Sequence, residues 1–147
     1  MVELREITRD NFDDCISLKV SEKQKKFVAA NTYSLAQAWA YYKTAFPFAI
    51  YNDNVLVGFI MLGYYESENC YTIWRFMIDE RYQGKGYGKA ALLLGVQYLV
   101  ETHGAKEVFL SVVPGNTIAE GLYRSVGFER TGGMSGDEAV MCLKVTA

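Results

Sequence analysis

The sequence has few of the residues that build disulfide frameworks and metal sites. It contains three cysteines and one histidine in 147 residues. Cys15, Cys70 and Cys142 are far apart and form no Cys-x-x-Cys pair, so neither a zinc site nor a disulfide framework is expected. No metal cofactor is therefore predicted. Three free thiols fit a reducing compartment, which predicts a cytoplasmic location.

Long apolar runs and an excess of basic residues are also missing. No apolar stretch approaches the roughly 18 residues of a membrane span, and the first ten residues are too charged for a signal peptide. Fifteen basic residues against seventeen acidic ones give a net charge of −2. Because a nucleic-acid binder usually carries a basic excess, neither nucleic acid nor a membrane is expected as a partner.

The chain does have enough apolar material for one core. Half of its residues are hydrophobic, which excludes intrinsic disorder. No internal repeat and no Pro/Gly/Ser-rich linker divides it, so residues 1–147 are predicted to form a single domain.

The hydrophobic pattern predicts an α+β domain with a mixed central sheet. Asp10 and Ser34 are the expected N-caps of the first two helices, and segment 21–30 fits either a short helix or a mobile loop. The strands are expected at Val2–Ile7, Phe46–Tyr51, Val55–Tyr65, Cys70–Ile78, Glu107–Val113, Phe128–Thr131 and Ala139–Val145, and the helices at Asn11–Leu18, Ser34–Thr44, Gly88–His103 and Asn116–Val126.

A glycine-rich segment, 81–89, follows a predicted strand and opens a predicted helix. Gly84, Gly86 and Gly88 let the backbone turn sharply and approach a ligand closely. The unpaired N–H groups at the helix start would then face the ligand, together with the positive end of the helix dipole. Neither the P-loop nor the dinucleotide-binding pattern is complete here. The segment therefore predicts a site for a phosphate or pyrophosphate.

A second motif runs from Asn116 to Phe128. It reads Asn-x-x-Ala-x-x-Leu-Tyr-x-x-x-Gly-Phe and places an apolar face on a helix that Asn116 can cap. Tyr123 lies one step off that face, so its hydroxyl is expected at the edge of the core. Spacing alone leaves open whether this tyrosine packs or reacts.

Together the two motifs resemble those of the GNAT superfamily of N-acetyltransferases. Arg-x-x-Gly-x-Gly at 81–86 is similar to the acyl-CoA motif, and the second motif matches at all six fixed positions. Residues 46–93 also resemble bacterial spermine/spermidine acetyltransferases. The resemblance implies a GNAT-like sheet of about seven strands flanked by about four helices, and acetyl-CoA as co-substrate. Because dimers are common in this superfamily, it also implies a homodimer.

The resemblance also implies roles for individual residues. The fourth and fifth strands would splay apart to admit the thioester. Backbone groups of Phe76, Met77 and Ile78 would contact the pantetheine arm and the acetyl carbonyl, and Asn116 would bind that arm. Tyr123 would protonate the departing thiolate. The residues expected around the pyrophosphate are Gly84, Lys85, Gly86, Tyr87, Gly88 and Lys89.

The resemblance points to a polyamine as the acceptor, a polycationic small molecule. Acidic and aromatic residues would form its groove: Asp13, Asp14, Glu22, Glu66, Glu68, Tyr33, Trp39, Tyr64 and Trp74. The alternatives are an aminoglycoside, an amino acid, a protein amine, or a non-catalytic acyl-CoA sensor, against which Tyr123 argues.

The base that deprotonates the amine stays open. Ser111 stands where some relatives carry a carboxylate on the fifth strand. Water remains a candidate, as do four acidic residues: Glu22, Glu66, Glu68 and Asp79.

Overall fold

The computed structural model describes residues 1–145, which form one seven-stranded mixed sheet in the order β1-β2-β3-β4-β5-β7-β6. The strands are β1 Val2–Glu6, β2 Ala45–Asn52, β3 Val55–Tyr65, β4 Cys70–Ile78, β5 Glu107–Val112, β6 Glu129–Ser135 and β7 Glu138–Lys144; the helices are α1 Phe12–Ser17, α2 Asn31–Ala40, α3 Tyr87–His103 and α4 Thr117–Val126. Single 3-10 turns lie at Lys25–Phe27 and Glu80–Tyr82. The predicted α+β class is confirmed.

Strands β1 to β4 pair antiparallel in chain order, and short turns join β2, β3 and β4. Asp53 and Asn54 adopt positive φ angles of 47° and 69° in the turn between β2 and β3, and Asn69 does so at 52° before β4. Asx residues tolerate this left-handed region better than other residues. The local turn chemistry therefore sets the hairpin register.

Strands β4 and β5 form a parallel pair that is unusually short. Tyr71 pairs with Val108 and Thr72 with Phe109, and no further partners are registered between these two strands. Beyond Thr72 the two strands diverge, so the end of β4 loses its neighbour on one side. This is the splay that the resemblance implied.

Helix α3 packs against one face of the sheet through leucines and small residues. Leu92 and Leu99 are fully buried, and Gly95 lets the helix approach closely, because a Cβ there would lie 3.1 Å from Ile60 Cδ1. The helix ends at Gly104, whose φ of 70° is left-handed and whose N–H donates to the Val100 carbonyl at 3.0 Å.

Both N-cap predictions in the first forty residues are wrong. Helix α1 begins after Asn11, not Asp10, and the Asn11 side chain accepts from the Thr8 N–H instead of capping the helix. Helix α2 begins three residues before Ser34, whose buried hydroxyl donates to the Ala30 carbonyl. Asn31, at the observed start, donates from Nδ2 to the Cys15 carbonyl at 2.9 Å, a tertiary contact that local propensity does not contain.

Strand β6 extends further than expected, to Ser135. Its pairing with β7 shifts register between Arg130 and Met134, where Gly132 has a φ of 87°. The two glycines at 132–133 form a bulge that carries the strand past the predicted end at Thr131.

Candidate active site

The glycine-rich segment forms an open concave turn ahead of α3. Gly84 and Gly86 have φ angles of 77° and 85°, and Gly86 is the N-cap of the 17-residue helix. A Cβ at either glycine would meet no atom within 4 Å, so open space lies beside the backbone here. The first N–H groups of α3 have no partner within the helix. The segment therefore has the geometry of an anion site.

A cavity of about 290 Å³ lies beside this turn, between β4, α3 and α4. Most of the predicted cofactor-binding residues line it: Phe76, Met77, Ile78, Gly84, Gly86, Tyr87, Gly88, Lys89 and Asn116. Lys85 is exposed and lies outside this lining. The cavity has apolar walls, and the N-terminus of α3 lies at one end of it. This arrangement suits a ligand with a hydrophobic arm and an anionic group at its end.

Gly88 brings the three walls of that cavity together. A Cβ at position 88 would lie 3.2 Å from Phe76 Cζ and 3.2 Å from Leu122 Cδ2, which is tighter than ordinary side-chain contact. Glycine at this position therefore lets the start of α3 sit against β4 and α4.

Asp79 anchors the chain just before the glycine segment. Its fully buried carboxylate accepts from the Lys19 N–H and the Arg81 N–H, both at 3.0 Å, and from Arg81 Nε at 2.8 Å. Burial alone would raise the pKa of Asp79, but these hydrogen bonds hold it below 3.8. Asp79 lines neither the cavity beside the glycine turn nor the larger cavity next to it, so its contacts fit anchoring rather than deprotonation of a substrate.

We expect Asp79→Asn to lower the free energy of unfolding by about 1–3 kcal/mol at pH 7, because buried donors lose a charged acceptor. The folded-state pKa lies below the unfolded value, so the stabilisation exists above about pH 3.8 and fades as the pH falls further. Chemical denaturation from pH 7 towards pH 3 measures it. The stability gap between wild type and variant should narrow at low pH, whereas Glu80→Gln, an exposed neighbour, should show no gap. A constant gap contradicts the charge argument.

The register of β4 shows which backbone groups face the splay. The Asp79 N–H donates to the Val57 carbonyl at 2.8 Å. Val57 and Asp79 therefore form a hydrogen-bonded pair of the antiparallel ladder between β3 and β4. Antiparallel pairs alternate, so Met77, opposite Phe59, also directs its N–H and carbonyl towards β3. The intervening residues, Phe76 and Ile78, direct theirs towards the gap between β4 and β5. Their N–H groups are the donors available to a ligand there.

A second, larger cavity of about 870 Å³ lies on the other side of the gap. It is bounded by β4, β5, β7 and the segment around residues 26–29. Four residues line both cavities: Phe27, Val28, Phe76 and Tyr123. The two cavities therefore meet at the splay, beside Tyr123.

Tyr123 is held at this junction by aromatic packing. Its ring contacts Phe76 and Phe128 edge-on, with centroids 6.4 Å and 6.3 Å away. Tyr123 lies on α4, whose N-cap is Asn116; the Asn116 side chain accepts from the Ala119 N–H at 3.4 Å. Burial, with a smaller contribution from the Glu138 charge, raises the pKa of Tyr123 to about 12. The phenol is therefore protonated at neutral pH, as a proton donor must be.

The larger cavity carries balanced charge and aromatic walls. Glu68 and Glu138 contribute carboxylates, whereas Lys26 and Arg75 contribute positive charge. Of the nine acidic and aromatic residues predicted for the acceptor groove, Glu68 and Trp74 line this cavity. Seven lie elsewhere: Asp13, Asp14, Glu22, Tyr33, Trp39, Tyr64 and Glu66. Glu22 pairs with Lys25 at the surface, and Trp39 is 81% exposed on α2.

Glu138 is the cavity carboxylate that the sequence analysis missed. It begins β7, and its Oε1 accepts from the Ser111 hydroxyl on β5 at 2.9 Å. Ser111 pairs with Val140, so Glu138 lies two residues away on the same face. The available signal was the antiparallel pairing of β5 with β7, which places an acidic residue beside Ser111.

The single histidine of the sequence, His103, lies away from both cavities. His103 stacks on Phe46 with ring centroids 4.4 Å apart, at the end of α3. Within residues 1–145, no three His, Cys, Asp or Glu side chains form a group that could hold a metal ion. In the same part of the chain, no helix is long and apolar enough to cross a membrane.

Comparison with known proteins agrees with this geometry. Residues 3–128 match the model of the acetyltransferase (GNAT) family. The chain is 36% identical over 139 residues to the spermine/spermidine N(1)-acetyltransferase of Bacillus subtilis (strain 168), covering 89% of this chain and 90% of that protein.

Two solved structures show the same fold. The PaiA N-acetyltransferase of Thermoplasma acidophilum, in complex with coenzyme A, superposes with a TM-score of 0.73 at 20% identity, over 98% of this chain and 99% of that one. The spermidine N-acetyltransferase of Vibrio cholerae, in complex with CoA and spermine, superposes with a TM-score of 0.74 at 16% identity, over 96% and 92%. From its motifs, its splayed sheet and the family match, the chain belongs to the GNAT family: it is an amine N-acetyltransferase that uses acetyl-CoA.

Proposed function

We propose that the enzyme acetylates a primary amine of a polyamine such as spermidine or spermine, by direct attack while both substrates are bound. The observation that carries this proposal is the meeting of the two cavities at Tyr123 and Phe76. One cavity ends at the helix N-terminus and suits acetyl-CoA, and the other leaves room for an acceptor at the same point. Holding both reactants there lowers the entropic part of the barrier.

The pyrophosphate of acetyl-CoA would lie against the N–H groups that follow Gly84 and Gly86. The pantetheine arm would lie along β4, next to Asn116. These assignments place the thioester in the gap between β4 and β5. The cavity's lining residues and the free backbone donors at Phe76 and Ile78 support them.

Two groups of the chain then take part in the transfer, a backbone N–H of β4 and the Tyr123 phenol. The neutral amine nitrogen bonds to the carbonyl carbon, and the N–H of Phe76 or Ile78 donates to the oxygen as it gains charge. The C–S bond breaks, and the Tyr123 phenol donates its proton to the departing sulfur. The nitrogen releases one proton to water, and a solvent proton restores the phenol. The products are an acetamide and a free thiol.

The polyamine acceptor is supported by the 36% identical Bacillus subtilis relative and by the composition of the larger cavity. Glu68 and Glu138 offer two negative charges to a polycation, in a cavity that two positive side chains also line. Tyr65 and Trp74, with ring centroids 5.3 Å apart, form an aromatic wall that favours a cation.

A panel of amines tests the acceptor. We expect higher kcat/KM for spermidine or spermine than for an aminoglycoside, an amino acid or a peptide amine, measured through release of the CoA thiol. The KM for the polyamine should rise from 0.05 to 0.5 M salt, because charge attraction is screened over a Debye length of about 10 Å at 0.1 M. Preference for another amine class, or a salt-independent KM, would overturn the polyamine assignment.

A second acceptor class, amines that also carry a carboxylate, is favoured by one observation. Arg75 lines the larger cavity, and its Nε is buried with no hydrogen-bond partner in the part of the chain that the structure describes. Its other nitrogens donate to the Trp74 carbonyl and to Gln37. An amino acid could satisfy that donor. Faster turnover of an amino acid than of spermidine would select this class.

A further inference from the structure

Glu138 is a half-buried carboxylate that lines the larger cavity and forms no ion pair within residues 1–145. The ion pairs found within residues 1–145 use other carboxylates: Glu3, Glu22, Asp53, Asp79 and Glu120. Its hydrogen bond comes from the neutral Ser111 hydroxyl. A carboxylate has about four acceptor positions, so most of its capacity is unused. Taking such a charge partly out of water is costly unless a cation joins it.

Two phenols of the cavity feel the charge of Glu138. After burial, which is the main cause, Glu138 contributes to the raised pKa of Tyr123 at the junction of the cavities. It contributes in the same direction to the raised pKa of Tyr65, where burial is again the main cause. Both rings line the larger cavity. Glu138 therefore lies in the same cavity as the phenol at the junction of the two cavities.

The other cavity carboxylate is less suited to hold a ligand in one position. Glu68 is exposed, lies in the turn between β3 and β4, and is bonded to the adjacent Ser67 hydroxyl. Glu138, by contrast, is fixed on a strand and tied to the neighbouring strand through Ser111. Side chains on strands hold a ligand more rigidly than side chains on loops.

We propose that Glu138 binds the ammonium group of the acceptor and that Ser111 positions its carboxylate. This inference rests on the proposed function, because it assigns the acceptor subsite of the same reaction. An ammonium supplies three donors and the missing positive charge, and charge-assisted hydrogen bonds are among the stronger ones. The bound ammonium releases one proton to water, and its neutral nitrogen then lies next to Tyr123 and the splay. Glu138 thus selects cationic acceptors and orients them towards the thioester.

The test is Glu138→Gln, which keeps the shape and removes the charge. We expect the KM for the best acceptor to rise 10- to 100-fold, with kcat within about threefold of wild type and an unchanged Kd for acetyl-CoA. Ser111→Ala, which removes only the positioning hydroxyl, should raise the same KM about three- to tenfold. Glu129→Gln is the matched control, because it removes one negative charge from an exposed residue outside the larger cavity; its KM should stay at the wild-type value.

A KM within twofold of wild type for Glu138→Gln overturns the inference, as does a fall in kcat with the KM unchanged. Glu138→Asp keeps the charge and should retain a lower KM than the Gln variant. The acceptor used is whichever amine the wild type acetylates best, so the result is separate from the choice of polyamine. A wild type that prefers another amine overturns the polyamine assignment, and the same KM comparison on that amine then decides the role of Glu138.

Discussion

Gly86→Glu is expected to weaken acetyl-CoA binding by about 100-fold or more. The position has a φ of 85°, lies at the N-cap of α3, and borders the cavity that suits the cofactor. A carboxylate there would lie within roughly 5 Å of the bound pyrophosphate, and the repulsion amounts to about 3 kcal/mol at an effective dielectric constant near 20. Each 1.4 kcal/mol corresponds to a tenfold change in Kd.

The variant also introduces a side chain at a left-handed position, which costs about 1–2 kcal/mol of stability. Gly132→Glu is the matched control, because Gly132 has a φ of 87°, open space beside it and a place on β6 away from that cavity. Isothermal titration of acetyl-CoA into both folded variants separates the effects. Equal Kd values for Gly86→Glu and wild type would remove this turn from the cofactor site.

The cofactor side of the site could be predicted because its signals are local. The glycines at 84 and 86 are adjacent to the helix that they open, and Asn116 caps the helix that carries Tyr123. In each case the relevant backbone conformation depends on a few neighbouring residues. Short motifs therefore locate these residues, and the family resemblance assigns their chemistry.

The acceptor side could not be predicted in the same way, because separate strands assemble it. Glu138 meets Ser111 across 27 residues of sequence, through the pairing of β7 with β5. Tyr65 and Arg75 reach the same cavity from β3 and β4. The acidic residues between positions 13 and 22 were predicted to form the acceptor groove, but they lie at the surface. Composition identifies charges without indicating which of them share a cavity.

The fold shows the same division between local and long-range causes. The Asp53–Asn54 turn and the glycine end of α3 follow from the chemistry of adjacent residues. The start of α2 at Asn31 depends on a hydrogen bond to the Cys15 carbonyl, sixteen residues away. The extension of β6 depends on its pairing with β7. Tertiary contacts moved these boundaries away from the positions that propensity favours.

Tyr123→Phe is expected to lower kcat by about 10²- to 10⁴-fold, the usual contribution of general acid catalysis. The loss should appear in kcat because the proton is needed only as the C–S bond breaks. The phenyl ring keeps the packing against Phe76 and Phe128, so the variant should stay folded. The Kd for acetyl-CoA should change by no more than about tenfold, since at most one ground-state hydrogen bond, about 0.5–1.5 kcal/mol, is lost.

Tyr98→Phe is the matched control for removal of a phenol. Burial also raises the pKa of Tyr98. This residue lies on α3, packs against Phe48 of β2 and lies outside both cavities. Its variant should retain wild-type kcat. The comparison requires that chemistry limits turnover, which a single-turnover experiment establishes. If Tyr123→Phe then lowers kcat by less than about threefold, far below the range of acid catalysis, Tyr123 is a packing residue and water protonates the departing thiolate.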